Sequence, residues 1–203
     1  MEYGSRIRFI IFTVISVVLL VLSTWGIVSI AKNIFGGDST KSNASVQKIE
    51  LSDYEREGTA VKLNVEGPIV GDDQFLSYQI EVTQNYRKFT IYKGYQKSVV
   101  SEKQYSNNIV AYRIFLRALE RSNFTNKVAG ASDDEVAACA TGRRYVYSLS
   151  DHDETISRLW NASCSTKSST SMQSSNGSSV RALFKSQIPD YSTILVKEYT
   201  VLN

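Results

Sequence analysis

Residues with reactive side chains are scarce in this sequence, which has one histidine, His152, and two cysteines, Cys139 and Cys164. A Ser-His-Asp triad would therefore have to use His152 as its base. The Walker phosphate loop, the Gly-x-Gly-x-x-Gly fingerprint of dinucleotide-binding proteins and the His-Glu-x-x-His motif of zinc proteases are all absent. An enzyme of this kind would be built around Cys139, Cys164 or His152, and we expect no metal and no cofactor.

The sequence also lacks an excess of charge of one sign. It has 23 basic and 20 acidic residues, and once Glu2, Arg6, Arg8 and Lys32 near the N-terminus are set aside the numbers are 20 and 19. Proteins that bind nucleic acid use a strongly basic surface to neutralise phosphates. The near-neutral remainder therefore argues against a nucleic-acid partner.

One long apolar run lies near the N-terminus, where residues 9–31 carry no charged side chain. About 20 such residues cross the hydrocarbon core of a bilayer as a helix. We therefore predict a cytoplasmic tail over 1–8, a transmembrane helix over 9–31 and a flexible tether over 32–48. The alternative is a signal peptide cleaved after Ser29-Ile30-Ala31, although the apolar region of a signal peptide typically has only about 7–15 residues.

The orientation of this helix does not follow from charge, because basic residues lie on both sides of the apolar run. A short N-terminal tail is easily kept inside, and a pair of cysteines suits an oxidising compartment. We predict a single-pass protein of the cell membrane, with its N-terminus inside and a domain over 49–203 outside.

The exported part has the patterns of an α+β domain. Apolar residues first alternate in short stretches, as in strands, and then recur at three- and four-residue steps, as in a helix that Asn107 or Asn108 would cap. We predict an antiparallel sheet of five or six strands that carries one long and one short helix. The predicted elements are strands at 59–66, 76–83, 143–150 and 154–161, two short strands within 87–100, and the long helix within 106–124.

The C-terminal part begins with a polar, Ser-rich stretch over 165–179, which predicts a mobile loop. Helical spacing then resumes, which predicts a short helix capped by Ser178 or Ser179 and ended by Pro189. The tail over 192–202 is rich in residues that favour strands, and we predict an edge strand there.

The segment from Cys139 to Cys164 contains both cysteines and the histidine. In an oxidising compartment, cysteines that flank two strands predict a disulfide that joins the ends of a hairpin and contributes about 3–4 kcal/mol. A cysteine nucleophile would instead have to be reduced and have a lowered pKa.

His152 and its acidic neighbours in "DHDE" could bind a metal, but successive residues do not all reach one ion, and we interpret them as the hairpin turn.

Candidate contact residues lie directly after the first cysteine and on the predicted strands. A tyrosine that is exposed there can contact a protein or a glycan. The main candidates are Thr141, Arg143, Arg144, Tyr145 and Tyr147, and further tyrosines on predicted strands are Tyr92, Tyr95 and Tyr105. Three arginines at four-residue spacing, Arg113, Arg117 and Arg121, would suit a phosphate or a lipid head group, but we favour a solvated outer face for them.

Four stretches carry a resemblance to a known group: "VEGPIVGDD", "YKGYQKSVVSEKQYSNNIVAYRIFLRALERSNFT", "CATGRRYVYSLSDHDETISRLWNASC" and "SVRALFKSQIPDY". Together they resemble single-pass membrane-anchored proteins of Saccharibacteria and related small-celled bacteria, a group with no assigned function. The similarity covers most of residues 65–191. Its most specific parts are the two ends of the third stretch, which starts with "CATGRRY" and finishes with the pattern Leu-Trp-x-x-x-Cys. The resemblance implies a bacterial, surface-anchored protein and adds no catalytic residues.

Two weaker resemblances concern layout. A cysteine, a histidine and an arginine on a single-pass exported β-domain are similar to the sortases, but here His152 lies 12 positions before Cys164 and "LWNASC" replaces the sortase stretch Thr-Leu-x-Thr-Cys. A helix followed by a disulfide-tied loop is similar to the subtilisin-inhibitor fold, in which Cys139 to Arg143 would be the inhibitory loop.

We therefore expect a non-catalytic domain, anchored to the membrane by its N-terminal helix, that binds an envelope or host-surface protein or takes part in envelope assembly. The alternatives are a protease inhibitor and a cell-envelope enzyme that uses Cys139, Cys164 or His152.

Overall fold

The computed structural model of the protein describes residues 49–136, 138–152, 154–164 and 170–202. The predicted tail, transmembrane helix and tether lie outside these residues. Contacts divide the chain after Gln47, and the second unit, Lys48–Asn203, contains every described element. Among the described helices, none is both long enough and apolar enough to span a bilayer.

Six strands and three α-helices make up the described part of the chain, together with a short 3₁₀ helix at Leu51–Tyr54. The strands are β1 (Thr59–Glu66), β2 (Leu76–Thr83), β3 (Tyr86–Lys93), β4 (Ser98–Ser106), β5 (Arg144–Asp151) and β6 (Glu154–Ala162). The helices are α1 (Ile109–Arg121), α2 (Ser174–Ser186) and α3 (Tyr191–Leu202). The predicted α+β class and antiparallel sheet are confirmed.

The strands form one sheet in the order β4-β3-β2-β1-β5-β6, and all neighbours are antiparallel. The first four strands form a simple meander, as consecutive hairpins do. The hairpin of β5 and β6 then adds beside β1, where Leu63 lies opposite Tyr147. As a result, the segment that contains both cysteines starts and finishes at the same end of the strands as the β1–β2 loop.

One face of the sheet is covered by the helices because the strands alternate. Val61, Leu63 and Val65 of β1 are buried in the core, whereas Lys62 and Asn64 between them are only half-buried on the other face. Each fully buried side chain of this size stabilises the fold by about 1.5–3 kcal/mol. Alternation therefore fixes which face of the sheet carries the core.

Helix α1 begins after Asn108, whose Oδ1 accepts a hydrogen bond from the Ala111 N–H at 3.0 Å. This confirms one of the two predicted caps. The buried residues of α1 are Tyr112, Phe115, Leu116 and Leu119, at the three- and four-residue steps seen in the sequence. Phe115 meets Phe184 of α2 edge to face, with ring centroids 5.3 Å apart.

The predicted edge strand over 192–202 is wrong, because these residues belong to α3. Tyr191, Ile194 and Leu195 pack against the core at helical spacing. The Tyr191 and Tyr78 hydroxyls lie 2.6 Å apart and are hydrogen-bonded. Tertiary packing on the sheet therefore outweighs the local preference of the tail for a strand.

The prediction of a short second helix is also wrong. Helix α2 has 13 residues, as many as α1, and starts at Ser174 instead of after Ser178 or Ser179. The end of the predicted mobile loop over 165–179 is therefore helical, and residues 165–169 lie outside the described residues. The helix ends at Ser186, shortly before Pro189, as predicted.

Candidate protein-binding surface

The two cysteines form the predicted disulfide, and their Cα atoms lie 5.7 Å apart. Cys139 stands five residues before β5 and Cys164 two residues after β6, so the bond closes the open end of this hairpin. In the disulfide neither sulfur is a thiolate, which is the form that a cysteine nucleophile requires.

His152 lies at the opposite end of the hairpin, in the turn between β5 and β6. Its side chain is 79% exposed, and its Nδ1 lies 2.9 Å from Asp151 Oδ1. The hydrogen bond from Arg56 is the main cause that lowers the pKa of Asp151. Asp153 lies outside the described residues, among which no group of three His, Cys, Asp or Glu side chains could hold a metal.

A groove of about 660 Å³ runs beside His152 on the face of the sheet that the helices leave open. Its central carboxylate, Glu81, is largely buried and forms ion pairs with Lys62 at 3.5 Å and Lys88 at 3.6 Å. The Tyr86 hydroxyl also donates a hydrogen bond to Glu81 at 3.3 Å. These contacts compensate the charge of Glu81, so we interpret Glu81 as a residue that stabilises the polar face of the sheet.

Three segments meet at the other end of the sheet, next to the disulfide: the β1–β2 loop at 67–75, the β3–β4 turn at 94–97, and the turn at 138–143. The Ile69 N–H donates to the Ala140 carbonyl at 2.8 Å. The Tyr95 hydroxyl donates to the Val70 carbonyl at 2.8 Å and lies 3.2 Å from the Val70 nitrogen. Hydrogen bonds therefore connect all three segments.

The middle of this region is fixed by Tyr95, whose ring stacks on buried Phe75 with centroids 4.1 Å apart. The Tyr95 N–H also donates to Asp72 Oδ1 at 2.7 Å. Gly94, just before it, has a φ of +73°, a left-handed conformation that glycine adopts without strain. A surface that is ordered in this way loses little conformational entropy when it binds a partner.

Apolar side chains are exposed here side by side: Ile69 at 45%, Val70 at 36% and Tyr95 at 46%. Thr141 and Arg143 continue the surface beyond Ala140 and are also exposed. We call these five residues the loop-end surface. Adjacent exposed apolar groups with a polar border are typical of sites that bind other proteins.

Of the predicted contact residues, Thr141 and Arg143 lie on the loop-end surface, and Tyr145 is half-buried. Arg144 and Tyr147 are buried, so their prediction as contacts is wrong. Arg144 donates to Glu66 at 3.3 Å and to the Gly67 carbonyl at 3.2 Å. Strand alternation points Tyr147 into the core, and Arg144 is covered by the chain that leads to β5.

Among the other tyrosines, Tyr95 is exposed and stays a candidate contact, whereas Tyr92 and Tyr105 are half-buried. Ile69 and Val70 were not predicted, although the sequence holds a signal for them. They are an apolar pair between Gly-Pro and Gly-Asp-Asp, where turn chemistry keeps the chain at the surface.

The arginine stripe of α1 is partly neutralised within the domain. Arg113 and Arg117 both donate to Glu55, at 2.6 and 3.3 Å. This favours the predicted outer face over a phosphate or lipid contact.

The turn at 139–142 also bears on the resemblance to subtilisin inhibitors. The Gly142 N–H donates to the Cys139 carbonyl at 3.0 Å, so the segment is a tight turn. A loop that enters a protease cleft as a substrate does must be extended.

Neither the protein-family models nor the curated proteins compared with this chain give a match.

Proposed function

We propose that this protein is anchored in the bacterial cell membrane by its N-terminal helix and exposes its α+β domain outside the cell. The domain binds another protein, of the envelope or of a host surface, through the loop-end surface. This proposal extends the resemblance to the membrane-anchored proteins of Saccharibacteria, and an oxidising compartment agrees with the disulfide.

The observation that carries the binding role is the exposed trio of Ile69, Val70 and Tyr95, which hydrogen bonds and ring stacking hold in place. Exposed apolar groups of this kind stabilise a complex when a partner removes them from water, by roughly 25 cal/mol per Å² of apolar area. Because the trio is ordered before binding, less of this gain is lost to ordering the chain.

Crosslinking on intact cells tests this role with a matched pair of variants, Ile69→Asp and Ile114→Asp. Ile114 lies on α1 and is 63% exposed, so both changes place one charge at an exposed isoleucine. We expect a crosslinked complex of the full chain to be lost in Ile69→Asp and kept in Ile114→Asp. Equal complex formation by both variants, or loss only in Ile114→Asp, would refute the assignment.

A further inference from the structure

Three cationic side chains come together beside the loop-end surface. Arg143 lies directly before β5, and Tyr145, two residues further on, packs against the core on the helix-covered side of that strand. Arg181 and Lys185 lie one turn apart on α2, and the Arg181 guanidinium carbon is 4.2 Å from the centre of the Tyr145 ring. We call Arg143, Arg181 and Lys185 the cation cluster.

Arg181 is held in place by neutral groups. Its Nη1 donates to the Tyr147 hydroxyl at 3.1 Å and to Asn161 Oδ1 at 3.2 Å, and both acceptor side chains are buried. Its Nε and Nη2 make no hydrogen bond to any described residue. This edge of a guanidinium is the fork that binds a planar carboxylate through two parallel hydrogen bonds.

The lysine of the cluster is influenced by both arginines. Partial burial lowers the pKa of Lys185, and the charges of Arg181 and then Arg143 lower it further. Each arginine is therefore close enough to Lys185 to disfavour its positive charge. A bound anion would relieve this repulsion.

Four other arginines of the domain already have carboxylate partners. Arg144 pairs with Glu66, Arg158 pairs with Glu135, and Arg113 and Arg117 share Glu55. Among the described residues no carboxylate forms an ion pair with any member of the cation cluster. The cluster is therefore an uncompensated positive site in a nearly neutral domain.

We propose that the cation cluster binds carboxylate side chains of an acidic segment in the partner protein. This inference rests on the proposed function, because Arg143 belongs to both the cluster and the loop-end surface. That continuity favours a protein partner, because a protein that covers the apolar residues of the loop-end surface also reaches the cation cluster through Arg143. The edge of Arg181 that makes no hydrogen bond to a described residue can bind a carboxylate or a phosphate in a bidentate way, so the choice of a carboxylate depends on the protein partner.

Binding of a hexaglutamate peptide to the full-length chain in a neutral detergent tests the site. Arg181→Gln removes the fork, and the double variant Arg143→Gln/Lys185→Gln removes two exposed charges without touching a buried hydrogen bond. We expect each to weaken peptide binding by about tenfold, as charge-assisted hydrogen bonds are lost. Arg121→Gln, which changes an exposed arginine of α1, is the matched control and should bind like the unaltered chain.

Inorganic phosphate and detergent micelles that contain phosphatidylglycerol are the competing probes. We expect both to bind the cation cluster more weakly than the peptide does. Tighter binding of phosphate or of the anionic micelles, or equal loss in Arg121→Gln, would overturn the carboxylate site. If Ile69→Asp abolishes the complex on cells while the cluster variants keep it, the proposed function stands and this inference fails.

Discussion

At the scale of single residues, two tyrosine hydroxyls show how the core accommodates polar groups. The Tyr112 hydroxyl lies 3.1 Å from Thr59 Oγ1, and the Tyr147 hydroxyl donates to Asn161 Oδ1 at 3.1 Å. Burial raises the pKa of each tyrosine to about 12. Each hydroxyl therefore stays protonated well above the pH at which an exposed tyrosine ionises.

These pKa values predict a loss of stability in alkali. A group whose pKa is raised in the folded state favours folding below its unfolded pKa of 10.0, and this contribution is lost as the pH rises toward about 12. The free energy of unfolding from urea titrations should therefore fall over this window. Tyr112→Phe removes one of the two groups and should make the fall smaller; an unchanged fall would contradict the assignment.

A second residue-scale prediction concerns Gly177, which is buried against Asn161. A Cβ at this position would lie 1.7 Å from Asn161 Nδ2, much closer than a van der Waals contact. Gly177→Ala should gain about 1 kcal/mol in helix propensity but lose about 1–3 kcal/mol through overpacking. We expect net destabilisation in denaturant unfolding, whereas Ser178→Ala, at an exposed position of the same helix, should be neutral or stabilising. Equal stability of the two variants would contradict this account.

At the scale of elements, the disulfide joins the ends of β5 and β6 across a sequence separation of 25. Replacing both cysteines by serine restores the freedom of this loop in the unfolded chain. We expect the free energy of unfolding to fall by about 3–4 kcal/mol. A loss of less than about 1 kcal/mol would contradict this contribution of the disulfide.

Elements with a strong period were predictable from sequence, and those decided by tertiary contacts were not. Alternation located β1 and β2 at their observed bounds, and helical spacing with an Asn cap located α1. The tail has a local preference for strands, yet it forms α3 because Tyr191 packs on Tyr78 and Phe89. The early part of α2 includes Gly177, which lies against Asn161 of β6, a tertiary contact that local sequence does not encode.

Part of the candidate site was also predictable from sequence, and part was decided by tertiary contacts. Thr141 and Arg143, both predicted as contacts, are exposed because they lie in the turn before β5. Tyr95, which was predicted on a strand, is exposed because it lies in the β3–β4 turn. The pairing of the β1–β2 loop with the turn at Ala140 follows from β5 lying beside β1, a strand order that the sequence pattern did not specify. Ile69 and Val70 therefore became candidate contact residues only through the topology.

At the scale of the whole molecule, the proposed anchor predicts a defined accessibility on intact cells. Protease added outside should digest the domain over 49–203, while a tag placed before residue 1 stays protected until the membrane is opened. The protected fragment should remain with the membrane after washing at high pH. Protection of the domain on intact cells would contradict its export. Release of the protected fragment by the wash would contradict the membrane anchor.

The two ends of the sheet provide the most direct test of the binding role. Ile69 lies on the loop-end surface, and His152 is an exposed residue of the turn at the opposite end. A photoreactive amino acid can be placed at either position in the full chain on intact cells. We predict a discrete crosslinked partner protein from position 69 and none from position 152. Crosslinking to the same protein from position 152 but not from position 69 would contradict the account.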